Sequence, residues 1–396
     1  MPSKTNLPGN RKKNFYKKTK YYQQTRKKRI LAVTAAGLSL FVIIVIFAGI
    51  RAVSHKKTIE TDIVSSKPAD TDPGSESEKD SEAAVTPVQP VALTVSVVGD
   101  CTLGTDESFD YSTSLNNYYD TYGSAYFMEN VKDIFSQDDL SIANFEGTLT
   151  DSQYREDKTF AFKAPAEFAS IITDGAIEAV NTANNHSHDY GDSSFDDTLA
   201  ALDAQGIVHF GYDETAVMDI KGIKVGLVGI YELNDHLERT QQLKDNIAKV
   251  KSEGAQLIIV IFHWGNEKEE VPDSNQITLG HLAIDEGADL VCGHHPHVLH
   301  GIEVYKGKNI VYSLGNFCFG GNSAPSDMDT MIFQQTFTIG ENGVESDNIT
   351  NIIPCSISSA DGYNNYQPTP VQGDEADRIL QKIEERSSWI PQDSQS

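Results

Sequence analysis

The chain has 396 residues, enough for one large domain or two smaller ones. It contains 32 Lys and Arg against 57 Asp and Glu, and eleven of the basic residues lie within residues 1–29, which contain no acidic residue. The residues after 29 therefore carry 21 basic and 57 acidic side chains, a net charge of −36. Such an excess argues against nucleic acid as a partner, because phosphate binding requires a basic face.

An uncharged run, residues 30–50, follows the basic segment. A helix of this length rises far enough to cross a bilayer core of roughly 30 Å. We predict a basic cytoplasmic tail over 1–29 and a single transmembrane helix over 30–50, with the rest of the chain outside the cell membrane, because basic residues stay on the cytoplasmic side. A cleaved signal peptide is the alternative, although the run is too long for one and lacks a convincing cleavage site.

Residues 51–91 are predicted to form a disordered extracellular linker. Positions 58–90 are rich in Ser, Thr, Asp, Glu and Pro and contain no aromatic residue, and such a composition cannot bury enough apolar surface to fold. The four cysteines lie beyond this linker at positions 101, 292, 318 and 355, without CxxC spacing. They are too few for a disulfide scaffold, which leaves open a bridge between Cys101 and Cys292 or four free thiols.

From residue 92 the chain alternates short β-branched runs with amphipathic segments, which predicts an α/β fold with parallel crossovers. The predicted strands are 93–99, 140–145, 177–182, 224–231, 256–262 and 289–292, and the predicted helices are 125–137, 165–174, 194–205, 239–253 and 275–287. After Gly293 the pattern is all strand, with a hairpin turn at 306–309, and these strands could form a second sheet stacked on the first. We predict a domain over 92–340 and a C-terminal extension over 341–396 with one helix near 374–386.

Polar side chains follow the predicted strands at the points where the strands end. They supply carboxylate, amide and imidazole groups, namely Asp100, Asn144, Glu146, Asn185, His186, His263, His295 and His297. In an α/β sheet, the carboxyl ends of the strands meet at one crevice, where ligands bind. Oxygen and nitrogen ligands without thiolate suit Zn, Mn or Fe²⁺, and the set matches what a hydrolase with two metal ions requires.

Seven segments between Val97 and Phe319 resemble the bacterial capsule-synthesis CapA family, also called the PgsA-type proteins of poly-γ-glutamate synthesis. They are VVGDCTLG, SIANFEGTLT, FKAPAEF, AVNTANNHSHDYG, IFHWGNE, GADLVCGHHPHVLHGIE and IVYSLGNFCF. The resemblance implies an anchored extracellular protein that aids capsule or poly-γ-glutamate synthesis, export or attachment. It also implies membrane subunits of the synthase system as partners and an anionic polymer as a possible ligand. The charge of −36 opposes binding of such a polymer unless a cationic patch or metal ions intervene.

The CapA family is similar in turn to the calcineurin-like metallophosphoesterases, which are αββα sandwiches. This resemblance implies metal ligation by Asp100, Glu146, Asn185, His186, His263, His295 and His297. Two departures matter, because Asp100-Cys101-Thr102 stands where the phosphoesterases have Asp-x-His, and Asn144-Phe145-Glu146 replaces Gly-Asp-x-x-Asp. They leave open one divalent ion or two, of unknown identity among Mn, Fe and Zn. His294 is expected to support the ligands rather than to be one of them.

Five further residues are candidates for the site. His188 is a candidate catalytic residue beside His186 and Asp189 is a candidate site residue, although a polar loop explains both. Asn144, Lys163 and Asn316 are candidates for substrate binding. Three functions stay open: a capsule component with uncertain catalysis, an extracellular metal-dependent hydrolase of phosphoesters or amides, and a non-catalytic scaffold with a degenerate site. In the hydrolase, His186 or His188 would protonate the leaving group.

Overall fold

The computed structural model describes residues 89–345 and 348–390. The predicted cytoplasmic tail over 1–29, the predicted transmembrane helix over 30–50 and most of the predicted linker over 51–91 lie outside these residues. Among the helices of the described residues, none has the length and apolar character needed to span a membrane.

The helices with described positions agree well with the sequence pattern where that pattern is amphipathic. They are α1 (Leu115–Tyr122), α2 (Lys132–Phe135), α3 (Ser170–Asp174), α4 (Asp192–Ala204), α5 (Thr240–Ser252), α6 (Ser274–Asp285) and α7 (Asp374–Ser388), with 3₁₀ turns at Tyr111–Thr113, Ser124–Tyr126, Ala166–Ala169 and His236–Arg239. The predictions for α4 to α7 are confirmed within two residues at each end. The helix predicted over 125–137 is instead a 3₁₀ turn followed by the short α2. The pattern also missed α1, whose start is fixed locally because the Ser114 hydroxyl accepts the Asn117 N–H.

Seventeen strands occur within the described residues. They are β1 (Val91–Thr102), β2 (Leu140–Glu146), β3 (Thr148–Leu149), β4 (Lys163–Ala164), β5 (Ala179–Asn181), β6 (Val208–Phe210), β7 (Ala216–Ile220), β8 (Ile223–Tyr231), β9 (Leu257–His263), β10 (Leu290–His294), β11 (Ile302–Tyr305), β12 (Lys308–Val311), β13 (Asn316–Phe319), β14 (Asp329–Gly340), β15 (Gly343–Val344), β16 (Ile349–Ser356) and β17 (Thr369–Pro370). All six strands predicted before residue 293 are present.

The strands form two large sheets and one small pair. The nine-stranded sheet has the order β17-β16-β14-β1-β2-β5-β6, with β13 beside β1 and β15 beside β14. The six-stranded sheet has the order β11-β12-β10-β9-β8-β7, and β3 pairs with β4. Strands β1, β2, β5 and β6 run parallel to one another, as do β8, β9, β10 and β12. The mixed α/β fold with parallel crossovers is therefore confirmed.

Alternating side chains show how the two sheets are layered. On β1, Val97 packs in one core cluster with Leu227 and Ile259 of the other sheet, whereas the adjacent Val98 packs on the helical side with Phe127 and Leu202. The opposite face of the six-stranded sheet packs on α5 and α6 in a third cluster. A strand buried on both faces reads as an unbroken apolar run, which explains runs such as LIIVIF in β9. The layers therefore follow the order helix, sheet, sheet, helix.

The later strands do not form a second sheet of their own, contrary to one possibility from the sequence. Strands β11 and β12 extend the six-stranded sheet next to β10, whereas β13 and β14 flank β1 in the nine-stranded sheet. The predicted hairpin turn is present as a two-residue loop, in which Lys306 and Gly307 have φ of 51° and 77°. The pattern of alternation does not name a strand's partner, and so the assignment of these strands required the structure.

The described part of the C-terminal extension belongs to the same layers. Strand β16 pairs with β14 along eight residues. Ile379 and Ile383 of α7 pack into the core between the sheets. All four cysteines are buried and free, with Cys101 in the helical-side core and Cys292 between the sheets. The possible bridge between Cys101 and Cys292 is therefore not formed, and the alternative of four free thiols is the one observed.

Candidate metal centre

The register of the parallel strands aligns the polar residues at their carboxyl ends. In the nine-stranded sheet, Asp100 lies opposite Asn144 on one side and opposite Asn316 on the other. In the six-stranded sheet, His263 is the last residue of β9 and pairs with His294 of β10. Close approach at this point depends on Gly99, because a Cβ there would lie 2.2 Å from the Gly315 carbonyl oxygen.

Asp100 is fully buried at the centre of the group. Its Oδ1 accepts the Asn144 amide at 2.7 Å, and its Oδ2 accepts the His295 backbone N–H at 3.2 Å and lies 3.4 Å from His297 Nδ1. Burial by itself would raise the pKa of Asp100. The hydrogen bond and charge of His297, with smaller contributions from His294 and His263, lower it overall. Asp100 is therefore a carboxylate, the form that binds a cation.

Glu146 is also fully buried, but only one of its oxygens is satisfied. Oε2 accepts the Thr102 hydroxyl at 2.7 Å, while Oε1 has no hydrogen-bond partner. The Nε2 atoms of His186 and His263 each lie 3.9 Å from Oε1, too far for a hydrogen bond. Burial raises the pKa of Glu146. An unsatisfied buried carboxylate oxygen costs about 1–3 kcal/mol or more, and so it indicates a missing partner.

The two histidines of the His-Pro-His segment complete the centre. His295 is 6 % exposed, and its Nδ1 has no hydrogen-bond partner; burial lowers its pKa to about 3, which keeps it neutral. His297 donates Nδ1–H to Asn316 Oδ1 at 2.8 Å. Burial opposes its charge, but Asp100 and Glu146 raise the pKa of His297 to about 10. Both histidines have positive φ, 93° and 56°, a strained conformation that is common at functional sites.

Two groups of side chains bring their ligand atoms within 4.8 Å of one another: Asp100, Glu146 and His297, and Glu267, His295 and His297. A divalent cation fits this centre. It would provide the partner that Glu146 Oε1 and His295 Nδ1 lack, and it would take the place of the proton on His297. Carboxylate and imidazole ligands suit Mn, Fe or Zn.

Glu267 is the member of these groups that the sequence analysis did not single out. It lies four residues beyond His263, outside the strand, and the chain reaches it through Gly265, whose φ is 76°. Backbone of this region is tied to the His-Pro-His segment, because the Lys268 N–H donates to the Pro296 carbonyl at 2.8 Å. The carboxylate at the end of the matching segment IFHWGNE was the available signal.

A chain of amide groups determines which ring nitrogen of His263 carries the proton. The Ala183 N–H donates to Asn181 Oδ1, Asn181 Nδ2 donates to Asn144 Oδ1, and Asn144 Nδ2 therefore faces both Asp100 and His263 Nδ1. His263 Nδ1 thus accepts, and Nε2–H donates to Asn185 Oδ1 at 2.8 Å. Burial lowers the pKa of His263 well below its usual value. Metal ligation by His263 or Asn185 stays a prediction, since neither belongs to the two groups described above.

His186 is oriented by a buried carboxylate and a lysine. Its Nδ1 lies 2.7 Å from Asp189 Oδ2, which also accepts the Phe162 N–H at 2.6 Å. Lys158 Nζ lies 2.6 Å from Asp189 Oδ1 and 2.9 Å from the Asn185 carbonyl. The carboxylate holds the proton on Nδ1 and turns the Nε2 lone pair towards Glu146. Asp189 is one of the candidates predicted from the sequence, whereas Lys158 is absent from the predicted site residues.

Three predicted candidates have their closest contacts elsewhere. His188 packs on Phe195 with ring centroids 4.7 Å apart and lies 3.6 Å from Asp192. Lys163 donates to the Ser152 carbonyl at 2.9 Å and lies over the Tyr190 ring. Lys158 is instead the lysine that touches the centre.

The ring nitrogens of His294 face the carbonyls of Val98 and Phe262, and these contacts connect three strands behind the centre. Asn144 and Asn316 contact Asp100 and His297 directly.

The centre opens into a cleft of about 390 Å³. His186, His297, Glu267 and Asn316 form its inner end. The volume falls within the range of roughly 300–1,000 Å³ that is typical of small-molecule sites. The cleft therefore gives a ligand access to the centre.

Comparison with known proteins places this geometry in a family context. The family described as "Bacterial capsule synthesis protein PGA_cap" matches residues 94–321. The PGA biosynthesis protein CapA of Bacillus subtilis (strain 168) is 29% identical over 248 residues, which cover 57% of this chain and 63% of that protein. The capsule biosynthesis protein CapA of Bacillus anthracis is 29% identical over 253 residues, covering 57% and 60%. The chain thus spans about three-fifths of the length of these two relatives.

More distant similarities were also found. A probable polyglutamine synthesis accessory protein of Mycobacterium tuberculosis (strain ATCC 25618 / H37Rv) is 26% identical over 210 residues, 45% of this chain and 55% of that protein. Among solved structures, a hypothetical protein from Thermus thermophilus matches with a TM-score of 0.41 and 13% identity, covering 66% of this chain and 98% of its own. The 5'-nucleotidase from Candida albicans SC5314 matches with a TM-score of 0.37 and 10% identity, covering 76% and 58%. Because the family match extends over more than half of the sequence, this chain belongs to the bacterial capsule synthesis protein PGA_cap family.

Proposed function

We propose that this protein is an accessory component of capsule or poly-γ-glutamate synthesis, export or attachment, with a divalent-metal centre in a domain held outside the cell membrane. The observation that carries the proposal is the position of the centre within the family match. Its residues run from Asp100 to Asn316, and the match covers 94–321. The anchor is the uncharged run 30–50, and the partners are the membrane subunits of the synthase system.

A bound metal ion would offset the repulsion between this acidic region and an anionic polymer. A region of net charge −36 repels a polyanion such as polyglutamate, whereas a bound divalent cation attracts carboxylates. Asp100, Glu146 and His297 would hold one ion, and Glu267 with His295 would hold it or a second one from the side of the cleft. A bound cation supplies Lewis acidity towards an ester or amide oxygen.

A second candidate function is hydrolysis of a phosphoester or amide bond in the extracellular polymer. The arrangement of His186 favours it, because Asp189 fixes the proton on Nδ1 and leaves Nε2 directed into the centre. A histidine held in this way can accept a proton at Nε2 from the attacking water and then donate it to a leaving group within hydrogen-bond reach. Lys158 Nζ lies 2.6 Å from Asp189 Oδ1 and positions this carboxyl group. A scaffold without chemistry is the remaining alternative.

The test is deletion of the gene, followed by complementation and measurement of surface polymer and of metal bound to the full-length protein. We expect the wild-type gene to restore the polymer and the Asp100→Asn variant, which keeps the size of the side chain, to fail while its membrane level is unchanged. Unchanged polymer in the deletion strain would reject the capsule role. Restoration of polymer by a His186→Ala variant that releases no products from the polymer would favour the scaffold over the hydrolase.

A further inference from the structure

The wall of the cleft beside the metal centre is aromatic. We call Phe109, Phe160, Phe162 and Phe319 the aromatic wall, since all four line the cleft. Phe109 and Phe160 have ring centroids 5.6 Å apart, and Phe160 and Phe162 are nearly parallel at 12°. The wall reaches the centre at both histidines of its inner end, with Phe162 at 4.6 Å from His186 and Phe319 at 5.5 Å from His297.

Phe160 shows that this wall is built for contact rather than for folding. It is 45 % exposed, although the rings beside it are partly or fully buried. Large apolar rings left in solvent beside a polar site mark a binding surface, because their burial on binding recovers the hydrophobic free energy that folding did not use. A flat ligand face laid against Phe160 would reach the metal centre along Phe162.

The polar residues that line the cleft beside the wall are mostly neutral or acidic. Thr113, Ser114, Asn322, Ser323 and Ser326 line the cleft together with the carboxylates of Asp110, Glu267 and Asp327. Lys268 is the sole lysine or arginine among the described lining residues. Hydroxyls, amides and carboxylates can all accept or exchange hydrogen bonds with ligand hydroxyl groups, whereas three carboxylates along the lining repel a polyanion.

We propose that the cleft binds the pyranose rings of a saccharide chain, with the ring faces on the aromatic wall and the hydroxyls on the neutral and acidic groups that line the cleft. The inference rests on the proposed function and deepens it by naming the class of polymer that reaches the centre. Polyglutamate has no ring to lie on the wall. Polyglutamate and a nucleotide would both bring negative charge into a cleft lined by the carboxylates of Asp110, Glu267 and Asp327.

The experiment is calorimetric titration of the full-length protein in detergent with three uncharged tetrasaccharides, maltotetraose, cellotetraose and tetra-N-acetylchitotetraose. Tetra-γ-glutamate and AMP serve as comparison ligands. We expect at least one tetrasaccharide to bind, a Phe160→Ala variant to bind it at least tenfold more weakly, and Phe160→Tyr to bind it within threefold of wild type. Trp389→Ala is the matched control, since Trp389 is 42 % exposed and does not line the cleft.

The outcomes separate this inference from the proposed function. Binding of none of the tetrasaccharides, stronger binding of tetra-γ-glutamate or AMP, or equal binding by Phe160→Ala and wild type would each overturn the saccharide proposal. Metal content is expected to be the same in Phe160→Ala and wild type. Absence of metal from the wild-type protein would instead reject the metal centre, and unchanged surface polymer after gene deletion would reject the capsule role.

Discussion

The two sheets contribute chemically different halves of the same centre. The nine-stranded sheet brings oxygen ligands, Asp100 and Glu146, whereas the six-stranded sheet brings imidazoles, His295 and His297 just beyond β10. Each half leaves one buried atom without a partner, Glu146 Oε1 and His295 Nδ1. Neither sheet alone provides hydrogen-bond partners for all of its buried polar atoms. A proton on His297 balances part of the charge between the sheets, and a cation would balance it more completely.

The acidic half is the one whose loss we expect to cost most. In Asp100→Ala, His297 loses its buried counter-charge and the Asn144 amide and His295 N–H lose their acceptor. We expect the free energy of unfolding to fall by about 3–5 kcal/mol, the range for breaking a buried ion pair. Denaturant unfolding of the metal-free protein measures this loss, and elemental analysis measures the accompanying loss of bound metal. Asp100→Asn is the control, because it removes the charge and keeps the size of the side chain. Equal stability of wild type and Asp100→Ala would contradict the assignment of a buried ion pair.

The imidazoles that follow β10 lead us to expect that metal binding depends on pH. His297 must lose a proton to become a ligand, and its neighbours raise its pKa to about 10. Metal affinity should therefore increase by roughly tenfold for each pH unit between about pH 7 and pH 9, because one proton is released for each ion bound. Titration of the protein with Mn²⁺ or Zn²⁺ at several pH values measures this slope.

His297→Gln provides the control for that slope. We expect it to bind metal more weakly at every pH and to lose the contribution of one proton, because glutamine has no proton to release in this range. A slope of one proton that persists in His297→Gln would assign the released proton to another group, and it would remove His297 from the ligands.

Asp189, which orients His186, is expected to contribute less to metal affinity than the ligands themselves. Asp189→Asn removes the carboxylate that fixes the Nδ1 proton, and losses of roughly 10–100-fold in metal affinity or activity are typical for such partners. Asp192→Asn is the matched control, because Asp192 lies 3.6 Å from His188 and is exposed. Metal titration and the rate on the preferred substrate measure both variants. An equal effect of Asp192→Asn would instead support the predicted role of His188.

The sequence predicted β9 and β10 well because burial on both faces makes them nearly unbroken apolar runs. The polar residue that ends such a run, as at His263, is then placed at the rim by the length of the strand alone.

Residues on loops escaped prediction because no periodic pattern fixes their path. Lys158 and Lys163 are only five residues apart, yet the loop directs the first to His186 and the second to the Ser152 carbonyl. Glu267 reaches the centre through a turn at Gly265, which has positive φ. In each case the deciding contact joins distant parts of the chain, which spacing along the sequence does not encode.

The opposite end of β2 offers the smallest expected effect and shows a carboxyl group that no imidazole compensates. Asp138 precedes this strand; burial raises its pKa from 3.8 to about 6, and its Oδ1 has no hydrogen-bond partner. The native state therefore binds more protons than the unfolded state between about pH 4 and pH 6, and stability falls as pH rises through this window. Asp138→Asn should be more stable than wild type at about pH 7 by about 1 kcal/mol, after allowance for partial solvent exposure.

Unfolding curves across this window and at neutral pH measure the difference in stability, with Asp133→Asn on the exposed side of α2 as control. A variant whose stability falls with pH as steeply as that of wild type would show that Asp138 is not the group that titrates, whereas a flat curve would assign the titration to Asp138.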